Sequence, residues 1–202
     1  LGELAGRHGW VIDLFTGRTA TEQNLRTMPA PRCLHLATHG FVLPAGRTPA
    51  ETGGLMDRAG LALAGGRDTI AAWREGRQPP AESDGILTAR EAAALDLTGT
   101  ELVTLSACET AAGEAALGEG VIGLRRGFAR AGARNLLLTL WPVPDDETAA
   151  FMRRFYGALL AGRPAEEALT QARRETLQAL LPERGLAGAV RVVGAFVLDV
   201  RH

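Results

Sequence analysis

Apolar runs of strand length alternate with segments of helical period from one end of the chain to the other. Residues 9–15 (G-W-V-I-D-L-F) read as a first strand, followed by a polar helix over 21–28 that Thr19 or Thr21 can cap. Residues 32–38 (R-C-L-H-L-A-T) read as a second strand ending at His39-Gly40, and 61–64 as a short third. Residues 88–95 open with the T-x-x-E form of a capping box, Thr88 as cap and Glu91 reaching back. Residues 101–106 (E-L-V-T-L-S) form a further strand ending at Ala107-Cys108. A helix over 120–131 is stopped by Gly132, and the strand 134–141 is ended by Pro142 and Pro144.

The helix expected over 145–160 has acidic residues in its first turn, where the dipole favours them. Phe151, Phe155 and Leu159 then recur every four residues, with Met152 and Tyr156 alongside. A second helix over 165–181 starts behind Pro164, and 195–200 closes as a strand. Strands alternating with helices at this spacing predict an α/β fold, a mostly parallel sheet covered by helices on both faces. Residues 65–85, with adjacent Pro79 and Pro80, read as a plain polar surface insertion or, alternatively, as a mobile loop bordering a cleft or exposed to proteolysis.

Composition narrows the chemistry. All 22 basic side chains are arginine, so no lysine exists to hold phosphates in a P-loop, form a Schiff base or act as a general base. A GC-rich genome accounts for the bias without any functional cause. At 202 residues, 46% hydrophobic, one well-buried domain spanning 1–202 is expected. A net charge of −1 offers no electrostatic case for nucleic acid or an anionic membrane surface. No apolar run is long enough to span a bilayer, and no signal peptide is visible. Leu1 in place of Met is the start expected of a domain excised from, or resolved within, a longer chain. Two widely spaced cysteines fit neither a disulfide framework nor a zinc pattern, and a reducing cytoplasm is the expected setting.

Parallel α/β sheets bind ligands beyond the carboxyl ends of their strands. One such end delivers His39-Gly40, another Cys108, and a third Trp141 followed by Asp145 and Asp146. An imidazole and a thiol leaving the same side of a sheet are what a cysteine nucleophile requires: the imidazole favours the thiolate and can protonate a leaving amine. Backbone amides at Gly40 and Cys108 could hold an oxyanion. Each residue also has a plain structural reading, the thiol as a small buried hydrophobe and the imidazole as a loop cap. Cys33 and His35 lie inside the strand and share a face at period two, and Cys33 reads as core. His8 and His202 carry no signal. Gly118 to Gly123 spells G-x-G-x-x-G, but it does not follow directly on a strand as a dinucleotide turn must. Ser106 has no G-x-S-x-G elbow around it. The histidines and cysteines show no metal-ligand spacing.

H-L-A-T-H-G at 35–40 and L-S-A-C-E-T at 105–110 resemble the two catalytic motifs of the CHAT domain family, relatives of caspases and separase. Further segments resemble the family in order: D-G-I-L-T-A-R-E at 84–91, G-E-G-V-I-G-L at 118–124, A-G-A-R-N-L-L-L-T-L-W-P-V at 131–143 and F-Y-G-A-L-L at 155–160. The resemblance implies a caspase-like three-layer sandwich and a cysteine endopeptidase. His39 would be its general acid/base, Cys108 its nucleophile, and the Gly40 and Cys108 amides its oxyanion donors. His35 would support the site structurally from within the sheet. No cofactor is implied. The partners implied are a protein or peptide substrate and regulation by fused or bound tetratricopeptide repeats. Only the A-C core of the caspase pentapeptide is present, so aspartate specificity does not carry over. The family's usual glycine after S-A-C-E-T is Ala111 here, and the aromatic cluster usual before the last strand is replaced by residues 191–194 (R-V-V-G). In separase a similar W-x-V-x-D stretch supplies an acidic pocket for arginine, so Asp145, Asp146 and Trp141 are candidate substrate contacts. The same aspartates also read as simple helix caps. A basic preference would direct self-cleavage to Arg67, Arg74 and Arg77. The rival reading is a catalytically silent caspase-like module used for interaction or scaffolding.

Overall fold

The computed structural model describes residues 1–42, 54–77, 84–106 and 114–201, without the side chains of 73, 74 and 114–119. The chain has mixed α/β content and divides into two compact units. The larger holds 15–136 and the last three residues; the smaller holds 1–14 and 137–199.

In the larger unit, β1 (Cys33–Leu36) and β5 (Leu102–Leu105) pair in parallel, with Leu34 opposite Val103 and Leu36 opposite Leu105. All four β5 side chains are buried, as expected of a strand covered on both faces. Asn135 begins β6 (Asn135–Thr139); its amide donates to the Glu101 carbonyl at 3.1 Å, and Nδ2 donates to the same oxygen at 2.8 Å. A second sheet was not anticipated. Strands β2 (His39–Val42), β3 (Ala59–Ala62) and β4 (Ile86–Thr88) form an antiparallel sheet in the order β2-β3-β4. The expected third strand is thus present two residues early, and antiparallel. Its Gly60 permits close packing, since a Cβ there would lie 2.9 Å from both the Leu87 carbonyl and the Phe41 ring.

Helices of this unit follow local signals. In α2 (Glu22–Thr27) the Thr21 hydroxyl accepts from the Asn24 amide at 3.2 Å. The Thr88–Glu91 capping box opens the single turn α5 (Ala89–Ala92). Two short helices, α3 (Leu55–Arg58) and α4 (Gly66–Arg74), precede it. The second lies within the segment read as a polar insertion and buries Thr69 and Ala72. Pro79 and Pro80 lie outside the described residues. Helix α6 (Glu114–Ala131) starts six residues earlier than expected and contains the whole G-x-G-x-x-G match. Its last glycine, Gly123, is a packing residue: a Cβ there would meet Ala59 Cβ at 2.9 Å.

A buried carboxyl pair ties α2 to the turn before β4. Glu22, 2% exposed, accepts from the Gly85 amide at 2.8 Å and from Arg26 at 2.9 Å, and its carboxyl is hydrogen-bonded to that of Asp84. Asp84 also accepts from the Ile86 amide, while Glu91 faces the pair and shares Arg26. Burial pushes both carboxyls above their ordinary values of 4.5 and 3.8. The folded chain therefore keeps a proton that the unfolded chain has released, so this contribution is full at acid pH and is lost as pH rises through the raised values. Glu22→Gln keeps an acceptor for Gly85 and gives Asp84 an N–H in place of the shared proton. Thermal unfolding of the variant should depend less on pH above the ordinary carboxylate range than that of the parent, with the gain at the upper end. Parallel pH profiles for the two chains would contradict this.

In the smaller unit, α7 (Asp145–Leu160) packs along α8 (Ala165–Val193), with the rest of β6 beside β7 (Phe196–Val200) and α1 (Gly2–Arg7) against α7. The expected apolar stripe is buried as Phe151, Met152, Phe155 and Tyr156, and the Phe151 ring stacks on Phe196 at 3.7 Å. Helix α8 continues past its expected end but is broken at Gly185, whose φ is 64°. The strand expected over 9–15 is absent: Val11 is 92% and Leu14 77% exposed. A run of β-forming residues specifies a strand only when a neighbour completes its ladder. No described helix is long and apolar enough to cross a membrane.

Candidate active site

The carboxyl ends of β1 and β5 lie side by side in the larger unit. Leu36 faces Leu105, and the Ser106 amide donates to the Leu36 carbonyl at 3.0 Å, extending the ladder one residue further. His39 and Cys108 each follow the Leu36–Leu105 pair by three positions in the sequence. Cys108 itself, with its amide, lies outside the described residues.

Beyond β1 the chain passes Ala37 and Thr38 and enters the second sheet at His39, which is exposed. The Thr38 hydroxyl donates to the Ala62 carbonyl, and Ala62 faces His39 in the ladder, so the entry to β2 is held against β3 at Ala62. Gly40, buried, lies opposite Leu61. His39 therefore does not hang from a loose strand end, as the sequence pattern implied; an antiparallel sheet carries it.

His35 sits inside β1 opposite Thr104, with its Nε2 3.0 Å from the Ser106 hydroxyl. Burial pushes its imidazole down to about 4, so the ring is neutral at physiological pH. Cys33, on the same face, has a thiol pushed up to about 11, first by burial and then by the Glu101 carboxylate. Such a thiol is almost wholly protonated at neutral pH and is a poor nucleophile.

In the smaller unit, the Trp141 indole N–H donates to the Arg191 carbonyl at 2.9 Å and anchors the chain after β6. Asp145 and Asp146 stand exposed in the first turn of α7, and Pro144 at the cap position accepts no side-chain bond. Glu147, the next residue, was not singled out by sequence: its carboxylate is buried and ion-paired with Arg184. The available signal was its place four residues before Phe151, on the buried face. Ser106 was likewise considered only as a nucleophile and set aside. Among the described residues, no His, Cys, Asp and Glu side chains group as a metal set.

Comparison with known proteins agrees with the motif resemblance. Over 87 residues, 43% of the chain, it is 38% identical to the Mus musculus protein named Tetratricopeptide repeat protein 28. Over 54 residues, 27% of the chain, it is 46% identical to the Homo sapiens protein of that name. These stretches cover only 4% and 2% of those relatives' own lengths. The family model for the CHAT domain matches residues 2–184, and on that match the chain belongs to the CHAT domain family.

Proposed function

We propose that this chain is a caspase-like cysteine endopeptidase domain, folded as a three-layer sandwich and hydrolysing peptide bonds through Cys108 and His39. The supporting observation is the parallel register of β1 and β5, which sets the two residues at equal chain distance from one hydrogen-bonded level. Cys108 is also the better nucleophile of the chain's two cysteines on chemical grounds, because Cys33 is held protonated.

In this reading the Cys108 thiolate attacks the scissile carbonyl carbon, and the resulting oxyanion accepts from the Gly40 and Cys108 amides. The C–N bond breaks as the His39 imidazolium protonates the departing amine, leaving a thioester. Water then gives a proton to His39 and attacks the thioester, releasing the acid and restoring the thiol. Asp145 and Asp146, exposed in the first turn of α7, supply negative charge for a basic side chain, and Trp141 belongs to the same motif. Arginine before the scissile bond is the preferred residue, and Arg67, Arg74 and Arg77 are the self-cleavage sites. Tetratricopeptide repeats in the same or a partner protein control access, and the setting is the cytoplasm.

The test is hydrolysis of a fluorogenic arginyl peptide by the purified chain and by Cys108→Ala. The parent should cleave, and the variant should lose on the order of 10³-fold or more in kcat. Equal rates would overturn the reading. A parent that cleaves nothing and whose Cys108 resists electrophiles would fit the silent scaffold instead.

A further inference from the structure

The hydrogen bond between His35 and Ser106 links the two strands that the proposed chemistry depends on. One partner lies four residues before His39, the other two residues before Cys108. His35 and Thr104 are in register, so the His35 imidazole and the Ser106 hydroxyl stand on the same face of adjacent parallel strands. Main-chain bonding at this point includes the Ser106 amide on the Leu36 carbonyl. A second bond, between side chains, fixes the separation and twist of the two strand ends as well as their level.

We propose that His35 and Ser106 are a positioning pair, whose hydrogen bond holds the exits of β1 and β5 at the spacing that brings His39 and Cys108 to work together. The inference rests on the peptidase reading above and assigns neither residue contact with substrate. The chemistry of the pair suits the task. A neutral imidazole accepts from a hydroxyl, or donates to it through the other tautomer, without a net charge that would disturb a neighbouring thiolate. Burial keeps the ring in that state, whereas His39 is exposed. Serine is also the smallest residue offering a rotatable donor at this position, which explains a hydroxyl here without any nucleophilic role.

The test uses the purified chain and the same arginyl peptide. Ser106→Ala and His35→Phe should each lower kcat by about ten- to a hundredfold with little change in KM, the cost of a misplacement near 1 Å. Ser106→Thr and His35→Gln, which retain a group able to bond, should recover most of the rate. The double variant Ser106→Ala/His35→Phe should be no slower than the worse single one, because both remove the same bond. Unchanged kcat in the single variants, or losses that multiply in the double one, would overturn the inference. So would losses that vanish once rates are corrected for the folded fraction. A parent that hydrolyses nothing sinks the peptidase reading, and the pair is then decided by the imidazole nitrogen signals. The His35 ring should stay neutral from pH 5 to 8 and shift on Ser106→Ala. A ring that titrates near 6.5, or is blind to Ser106, would overturn the pair by itself.

Discussion

Removing the His39 imidazole is expected to lower kcat for the arginyl peptide by about 10²–10⁴-fold, the usual worth of a positioned acid/base. In this chain the loss should come without a loss of fold. His39 is exposed, and its strand is fixed by backbone pairing with Ala62 and by the Thr38 hydroxyl, neither of which the substitution removes. The melting temperature of His39→Ala should therefore stay close to that of the parent. His8→Ala is the matched control, since His8 is also exposed and lies outside the β1–β5 region. Steady-state rates with thermal melts check both parts. A His39→Ala chain within twofold of the parent would show that the imidazole takes no part in the reaction. A chain unfolded by the change would show that the second sheet depends on it.

The largest effect on stability is expected at Gly85. Its φ is 75°, and an alanine Cβ there would lie 2.1 Å from the Gly66 nitrogen and 2.6 Å from the Ala64 carbonyl oxygen. Both obstacles are backbone and cannot swing aside. The same residue donates to the buried Glu22 carboxylate at 2.8 Å and accepts from the Leu63 amide at 2.7 Å, so any shift of the turn strains these bonds too. The left-handed backbone costs roughly 1–2 kcal/mol for a residue with a Cβ, and overpacking adds about 1–3 kcal/mol. Gly85→Ala should thus lose about 2–5 kcal/mol in urea unfolding, a large part of what typically holds a domain together. Gly76→Ala separates the two causes. Its φ is 70°, but nothing lies within 4 Å of the added Cβ, so only the same backbone cost of roughly 1–2 kcal/mol applies. Similar losses at both positions would contradict the steric account.

The sequence carried the parallel strands well because their apolar runs are continuous and their ends are marked by Gly and Pro. It carried the caps at Thr21 and Thr88 because those interactions are local, spanning three residues. It did not carry the antiparallel sheet. Strand β2 is four residues long and begins with a histidine and a glycine, and its partner β3 has the weak pattern A-G-L-A, so no period-two signal rises above the background. The misread strand at 9–15 is the converse case, a strong local pattern without a completed ladder. Of the proposed site, His39 and Gly40 follow a strand that was legible from its apolar run, but the sheet that carries them was not. The Glu22–Asp84 pair was not, as 62 positions of chain separate its members and neither carries a local signal. The His35–Ser106 bond was hidden for a different reason. It depends on the β1–β5 register, and a slip of one residue would have sent the two side chains to opposite faces.

Which cysteine an electrophilic peptide modifies is the most direct measure of the proposed chemistry. The chain treated at pH 7 with an arginyl chloromethyl ketone, then digested and read by mass spectrometry, should carry the adduct on Cys108 and none on Cys33, whose thiol is pushed up to about 11. The adduct should form far more slowly in His39→Ala. Modification of Cys33 in preference to Cys108, or a Cys108 that reacts at the same rate with and without His39, would contradict the Cys108–His39 mechanism.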